Sequence, residues 1–287
     1  MKNSSEDTNE LLTLYHYTDQ AGFLGIMQSR QLWATKIQYL NDSNEYKLAL
    51  GIASDILEKK ISKTKNSTNT HNLLELFLER IDTIKNQNVC VCSLSEKGDL
   101  LSQWRGYSNS LGGYSIGFDF TKLKRRLSAQ GYLLKKCIYK TEEQHSIICK
   151  LIDQLLKKHD KKTGMGFQAY DDACEDFLNC LGNLAPLIKD PSFEEESEWR
   201  IVDIRPFDEL DFRPGRSSII PYHKIKLGRT HIDFRRLVNE IIVGHTPIPD
   251  LAVSATQAFV VKIFPPEDDD YNCPIPVEQS SIPYRNW

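Results

Sequence analysis

The chain has 287 residues, a formal net charge of −3, 40% apolar residues and 26% charged residues. That is enough for one large globular domain or two small ones, with no global basic field to draw in nucleic acid. No run approaches the roughly 18 apolar residues that span a bilayer, and no Cys/His spacing reads as a zinc site.

The elements follow in chain order. Residues 1–10 are polar and acidic, are expected to be disordered, and lack the apolar core of a signal peptide. A cytoplasmic protein is therefore expected, its seven Cys read as reduced thiols. Residues 11–18 (LLTLYHYT) predict a strand, and Thr18-Asp19 offers the N-cap of a short helix ending near Ser29-Arg30. Residues 32–35 read as an extended piece and residues 39–45 as a turn. A helix capped by Asp42 or Ser43 then runs through Leu57. Residues 59–71 read as a polar loop or a flexible helix end, Leu73 to Ile84 as an amphipathic helix, and Val89 to Leu94 as a buried strand with Cys90 and Cys92 on one face.

Leu100 to Tyr107 predicts a short helix, residues 109–113 a turn and residues 114–119 a strand. A basic helix (120–130), a strand (133–139) and two helices (142–158 and 170–181) follow. The last third predicts strands at 198–204, 217–226, 240–244 and 258–264, with a helix over 249–257. Strands and helices mix without regular alternation. That indicates an α+β fold with a split, mixed β core and a helical insertion at about 120–190, in a single domain over 11–287.

The densest chemistry lies in Glu194-Glu195-Glu196-Ser197-Glu198-Trp199-Arg200. Side chains alternate along a strand, so Glu196 and Glu198 would leave its start on the same side. Paired carboxylates repel, and such a pair can split into one ionised and one proton-sharing group. The plainer interpretation is a charged strand cap with Arg200 as its surface partner.

Five landmarks stand in order: Tyr15-His16-Tyr17-Thr18, Leu40-Asn41-Asp42-x-x-Glu45, Trp104-Arg105-x-Tyr107, Gly113-Tyr114-Ser115-Ile116-Gly117-Phe118, and Glu196-x-Glu198-Trp199-Arg200. This order resembles a widespread bacterial family catalogued as a domain of unknown function, over most of the chain. The layout is also distantly similar to the ADP-ribosyltransferases, which place a His or Arg on the first strand, an aromatic/hydroxyl pair on a middle strand and a Glu-x-Glu on a late one.

That second resemblance implies NAD as co-substrate. His16 would hold the NAD ribose or amide, and Tyr17 and Thr18 would line the dinucleotide. Tyr107 or Tyr114 would stack on nicotinamide, and Ser115 would support the Glu. Glu198 would bond the nicotinamide ribose, and Glu196 would orient an acceptor. It further implies a toxin or phage-defence effector, with an unidentified acceptor and a possible regulatory partner protein, and no metal or membrane.

The residue types suit that chemistry independently. A fixed carboxylate stabilises an oxocarbenium-like centre more than the ground state, and Arg105 could meet a pyrophosphate bidentately. Arg105 equally fits a pair with a buried carboxylate such as Glu45 or Glu198. Tyr114 and Ser115 point to opposite faces of a regular strand. There is no Gly-x-Gly-x-x-Gly loop and no Gly-x-x-x-x-Gly-Lys loop. Two other classes remain open. One is a non-catalytic nucleotide-binding sensor or interaction module. The other is a metal-dependent nuclease or hydrolase using Asp42, Glu45 and the acids at 194–198. Lys122 to Arg126 and Arg235-Arg236 read as solvated helix faces, able to form a basic patch if they meet in space.

Overall fold

The structure is a computed structural model that describes residues 12–40, 45–108, 112–159, 167–215, 217–265 and 273–284; of Glu45 and Phe167 only the backbone is described. Its centre is the strand β3 (Val89–Ser95), apolar from Val89 to Cys92 and again at Leu94 because both faces are covered. Val89 and Val91 enter one core; Cys90, Cys92 and Leu94 enter the other. Both cysteines therefore share a face, as the strand period requires.

β3 pairs along its whole length with β6 (Glu198–Ile204), from Val89↔Ile204 to Ser95↔Glu198. The far edge of β6 carries β5 (Leu133–Lys136). The other edge of β3 is shared by two strands. β1 (Thr13–Asp19) meets it at Tyr15↔Ser95, and β2 (Gln31–Lys36) meets it at Thr35↔Val91 and Lys36↔Cys90. The sheet forks there. One arm continues from β1 to β4 (Gly113–Asp119), β9 (Val238–Val243) and β10 (Val277–Gln279); the other from β2 to β8 (Ile219–Lys226) and β7 (Asp211–Pro214). β10 runs parallel to β9 and every other pairing is antiparallel, so the sheet is mixed and open and the fold is α+β.

Helices cover both faces. α1 (Gln20–Ser29), α5 (Phe120–Ser128), α8 (His231–Arg235) and α9 (Pro249–Ile263) pack through Phe23, Met27, Leu123, Leu127, Phe234 and Val260 on the Cys92 side. α2 (Glu45–Ile61), α3 (Asn69–Arg80), α6 (Thr141–His159) and α7 (Phe167–Leu184) form the opposite layer, with Phe77 stacked on Phe177 at 4.4 Å. Asp19 caps α1, its Oδ1 accepting from the Gly22 amide at 2.8 Å. α4 (Leu101–Tyr107) sits beyond the end of β3.

Two local expectations are corrected. Residues 258–264 are not a strand. α9 continues to Ile263, because Thr256, Phe259 and Val260 at helical spacing bury against the sheet, and that packing outweighs the β preference of Phe-Val-Val. Two short late strands, β7 and β10, lie outside the predicted ones. The loop within 59–71 is shorter than its predicted span: α2 runs on to Ile61, as a helix end there allows, and α3 already begins at Asn69, where Thr68 accepts from the His71 amide at 3.1 Å. The strand expected at 133–139 is present as β5. Asn41 and Asp42 lie outside the described residues.

Candidate functional site

Glu198 opens β6 on the face of the α2/α3/α6/α7 layer and is 4% exposed. A buried carboxylate must find cations or give up its charge. Here Arg200 Nε donates to Glu198 Oε1 at 2.8 Å, while Arg200 Nη2 at 3.1 Å and Lys189 Nζ at 2.6 Å donate to Oε2. Burial alone would raise the carboxyl; the charges of Arg200 and Lys189 overcome it and hold the Glu198 pKa down at about 2. Arg200 is itself buried and gives Nη1 to the Pro186 carbonyl at 2.6 Å. Arg200 is thus an interior partner, which corrects the surface pair expected from the sequence: the strand alternation that buries Glu198 buries Arg200 too.

Glu196 is not on the strand. It ends a 3-10 turn, Pro191–Glu196, and Ser197 reverses the chain in the left-handed region at φ 45°. The reversal still brings the two carboxylates together, since Glu196 Oε2 accepts from the same Lys189 Nζ at 2.5 Å. A shared ammonium therefore takes the place of a shared proton. Two acids and two bases balance in formal charge, and Lys189 also lies 5.0 Å from the Phe193 ring centroid.

The backbone around the cluster is tightly tied. The Glu198 amide donates to the Tyr139 hydroxyl at 2.8 Å, and the Cys137 amide to the Glu198 carbonyl at 2.8 Å. The buried Gln144 amide donates to the Ile138 and Lys189 carbonyls at 2.8 and 2.7 Å. Ser95, the cross-strand partner of Glu198, gives its hydroxyl to the Glu196 carbonyl at 2.7 Å.

Tyr107, in the last turn of α4, closes the cluster. Its residue surface is 42% exposed, yet burial of its hydroxyl, followed by the charges of Glu198 and Glu196, pushes its pKa up to about 12.

His16 reaches β3 from the other arm of the fork. Its Nδ1 donates to the Ser93 carbonyl at 2.9 Å and stands 3.8 Å from Cys92 Sγ. Ser93 lies between the places where β1 and β2 join β3, so the imidazole fills the gap in the ladder. Burial lowers the His16 pKa, against the opposing effect of the Ser93 bond, and keeps the ring neutral. Nε2 has no hydrogen-bond partner among the described residues.

The other candidates are distributed more widely. Tyr17 is buried; its hydroxyl donates to the Lys97 carbonyl at 2.7 Å and accepts from the Leu100 amide at 3.0 Å, which fixes the loop into α4. Ser115 is fully buried opposite Tyr17. Thr18 is half-buried against Gly22, where a Cβ would come within 1.9 Å of its Oγ1. Tyr114 points to the opposite face, stacked on Phe23 at 4.1 Å. Arg105 lies over the Tyr284 ring at 5.0 Å, and among the described residues Glu198 pairs with Lys189 and Arg200 instead. That ring belongs to a C-terminal segment anchored on Asp99, which accepts from Trp104 Nε1 at 2.7 Å, Ser280 Oγ at 2.6 Å and the Ser281 amide at 2.7 Å. Glu194 and Glu195 are exposed, and among the described residues no three His, Cys, Asp or Glu side chains are grouped to hold a metal ion. No helix among those residues is long and apolar enough to cross a membrane.

Sequence reasoning missed Lys189 and Tyr139. Lys189 closes the apolar run Ala185-Pro186-Leu187-Ile188, and its burial shows only once the chain folds back onto Glu198.

Residues 103–201, from α4 through the start of β6, match a family described as "Protein of unknown function (DUF2971)". The match takes in Tyr107, Lys189, Glu196, Glu198 and Arg200, so it spans the charge cluster. No curated protein and no solved structure matches the chain.

Proposed function

We propose that the protein acts on NAD, cleaving the nicotinamide–ribose bond and passing ADP-ribose to water or to another acceptor. The observation that carries this reading is the ionised Glu198 at the start of β6, with Glu196 joined to it through Lys189 and Tyr107 close enough for both carboxylates to act on its hydroxyl; His16 reaches β3 from β1 on the Cys92 face. Glu198 stays ionised at any ordinary pH, as a carboxylate facing a developing ribosyl cation must. Tyr107 offers a flat face to nicotinamide, and neutral His16 has Nε2 left to bond the ribose or carboxamide. Nicotinamide would leave as the neutral base while the acceptor oxygen or nitrogen bonds to the ribose carbon and gives up its proton, with Glu196 at the edge to orient it. Such a reaction drains NAD or marks a target, the behaviour of a toxin or phage-defence effector.

One observation favours a second reading. Glu198 already takes three donors from Arg200 and Lys189, which suits a structural network under a nucleotide-binding module without turnover.

Purified protein incubated with NAD, with free nicotinamide measured by chromatography, separates the two. Release supports the enzyme. Saturable NAD binding without release supports the module. Neither binding nor release overturns both.

A further inference from the structure

The basic segments of α5 and of the end of α8 do meet. On the Cys92 side of the sheet, Lys122, Arg125, Arg126 and Arg236 line one cavity of about 450 Å³, with Asp233 beside them and Leu237 in its wall. We propose that this cavity binds the phosphate groups of a small polyphosphorylated ligand, a second site separate from the Glu198 cluster.

The alternative is a solvated helix face, and three features weigh against it. First, four cations face one lining carboxylate. Lys122 is bonded to Asp119 at 2.9 Å, but Arg125, Arg126 and Arg236 have no acidic partner among the described residues. Lys122 and Arg126 stand at i,i+4, where like charges destabilise a helix, and Arg236 adds a further cation from a separate element. That repulsion persists in a chain whose net charge is −3, and a bound anion would relieve it.

Second, the walls are rigid. Leu123, Leu127, Phe234 and Leu237 are buried, and the Asp119 amide before α5 donates to the Leu237 carbonyl at 2.9 Å. The guanidiniums are therefore held on a fixed frame, and their forked donors match phosphate oxygens bidentately.

Third, the dimensions suit a small molecule. The cavity falls within the usual range of ligand sites, and the net acidity of the chain disfavours a long polyanion crossing its surface. This site lies on the opposite face of the sheet from Glu198: Trp199, the next residue, packs on Phe120 of α5 at 5.0 Å, while Glu198 turns toward Lys189. It therefore stands or falls apart from the NAD reading.

The test is calorimetric titration of the full chain with inorganic pyrophosphate near physiological salt. It compares wild type with Arg125→Ala/Arg236→Ala and, to control for lost charge, with Lys59→Ala/Lys63→Ala on exposed positions of the α2 side. The expected result is saturable binding to wild type, weakened by at least about tenfold in the arginine variant and unchanged in the lysine variant. Thermal midpoints should match in all three. Absence of binding to wild type, or equal weakening in both variants, overturns the proposal. So does a single-stranded oligonucleotide that binds wild type but not the arginine variant and is not displaced by pyrophosphate, which would make the patch a nucleic-acid interface.

Discussion

Two groups of charge are built on opposite faces of one sheet, and they are satisfied in opposite ways. Around Glu198 every charge is at least partly buried and has a partner: two carboxylates, one ammonium and one guanidinium, each within 3.1 Å of an opposite charge. Around Arg125 the cations are near the surface, rest on a rigid apolar base and have few acids beside them. Buried charges with partners are part of what keeps the fold unique, and losing one strands the rest. Cations left without partners on a rigid frame contribute little to stability and are free to take an external anion. A net charge of −3 describes neither region.

The comparison can be broken most directly at Lys189. Lys189→Met leaves two carboxylates buried with only Arg200, and the expected cost is about 3–5 kcal/mol in urea unfolding. Adding Glu198→Gln should recover part of that loss; strictly additive losses would contradict the shared network.

Acid gives the next effect. The Glu198 pKa is depressed from 4.5 to about 2, so its contribution is fully present above pH 4.5 and is lost as the pH falls toward 2. The unfolding free energy should drop by about 3 kcal/mol across that window from this residue alone. In Glu198→Gln that part of the slope should disappear; an unchanged slope would place the acid sensitivity elsewhere.

Glu196 is the shallower member, with one bond to Lys189 and a side chain 17% exposed. Glu196→Gln should cost about 1 kcal/mol, measured by the same denaturation. At the other face, Arg125→Ala/Arg236→Ala should change stability by no more than about 0.5 kcal/mol. A loss as large as that of Lys189→Met would mean the two clusters are not built differently after all.

The fold was readable wherever one period dominated. The apolar runs of β1, β3, β4 and β6 and the 3.6-residue pattern of α3 and α6 mark themselves, because burial on one or both faces sets the residue type at each step. Residues 258–264 misled because Phe-Val-Val favours a strand locally and only packing on Phe23 makes it helical. In the candidate site, the order of His16, Tyr107 and Glu198 along the chain was legible; Tyr107 lies near Glu198, whereas His16 meets β3 on the Cys92 face. The fork that sets His16 against Ser93 was not, because it depends on two strands sharing one edge of a third, a long-range arrangement without a local pattern. Nor was the left-handed Ser197, which carries none of the usual Gly or Asn signal. The burial of Arg200 follows from the same alternation that buries Glu198, but an acidic run beside it reads as solvated until Lys189, nine residues upstream of Glu198, is seen to fold back onto it.

The most direct test of the proposed chemistry is nicotinamide release from NAD by wild type and by Glu198→Gln, compared at equal folded fraction as judged by near-ultraviolet circular dichroism. Wild type should release nicotinamide and the folded variant should do so at least about a hundredfold more slowly, the scale expected when a fixed transition-state charge is removed. Equal release by a folded Glu198→Gln would take Glu198 out of the reaction and leave its network a purely structural one.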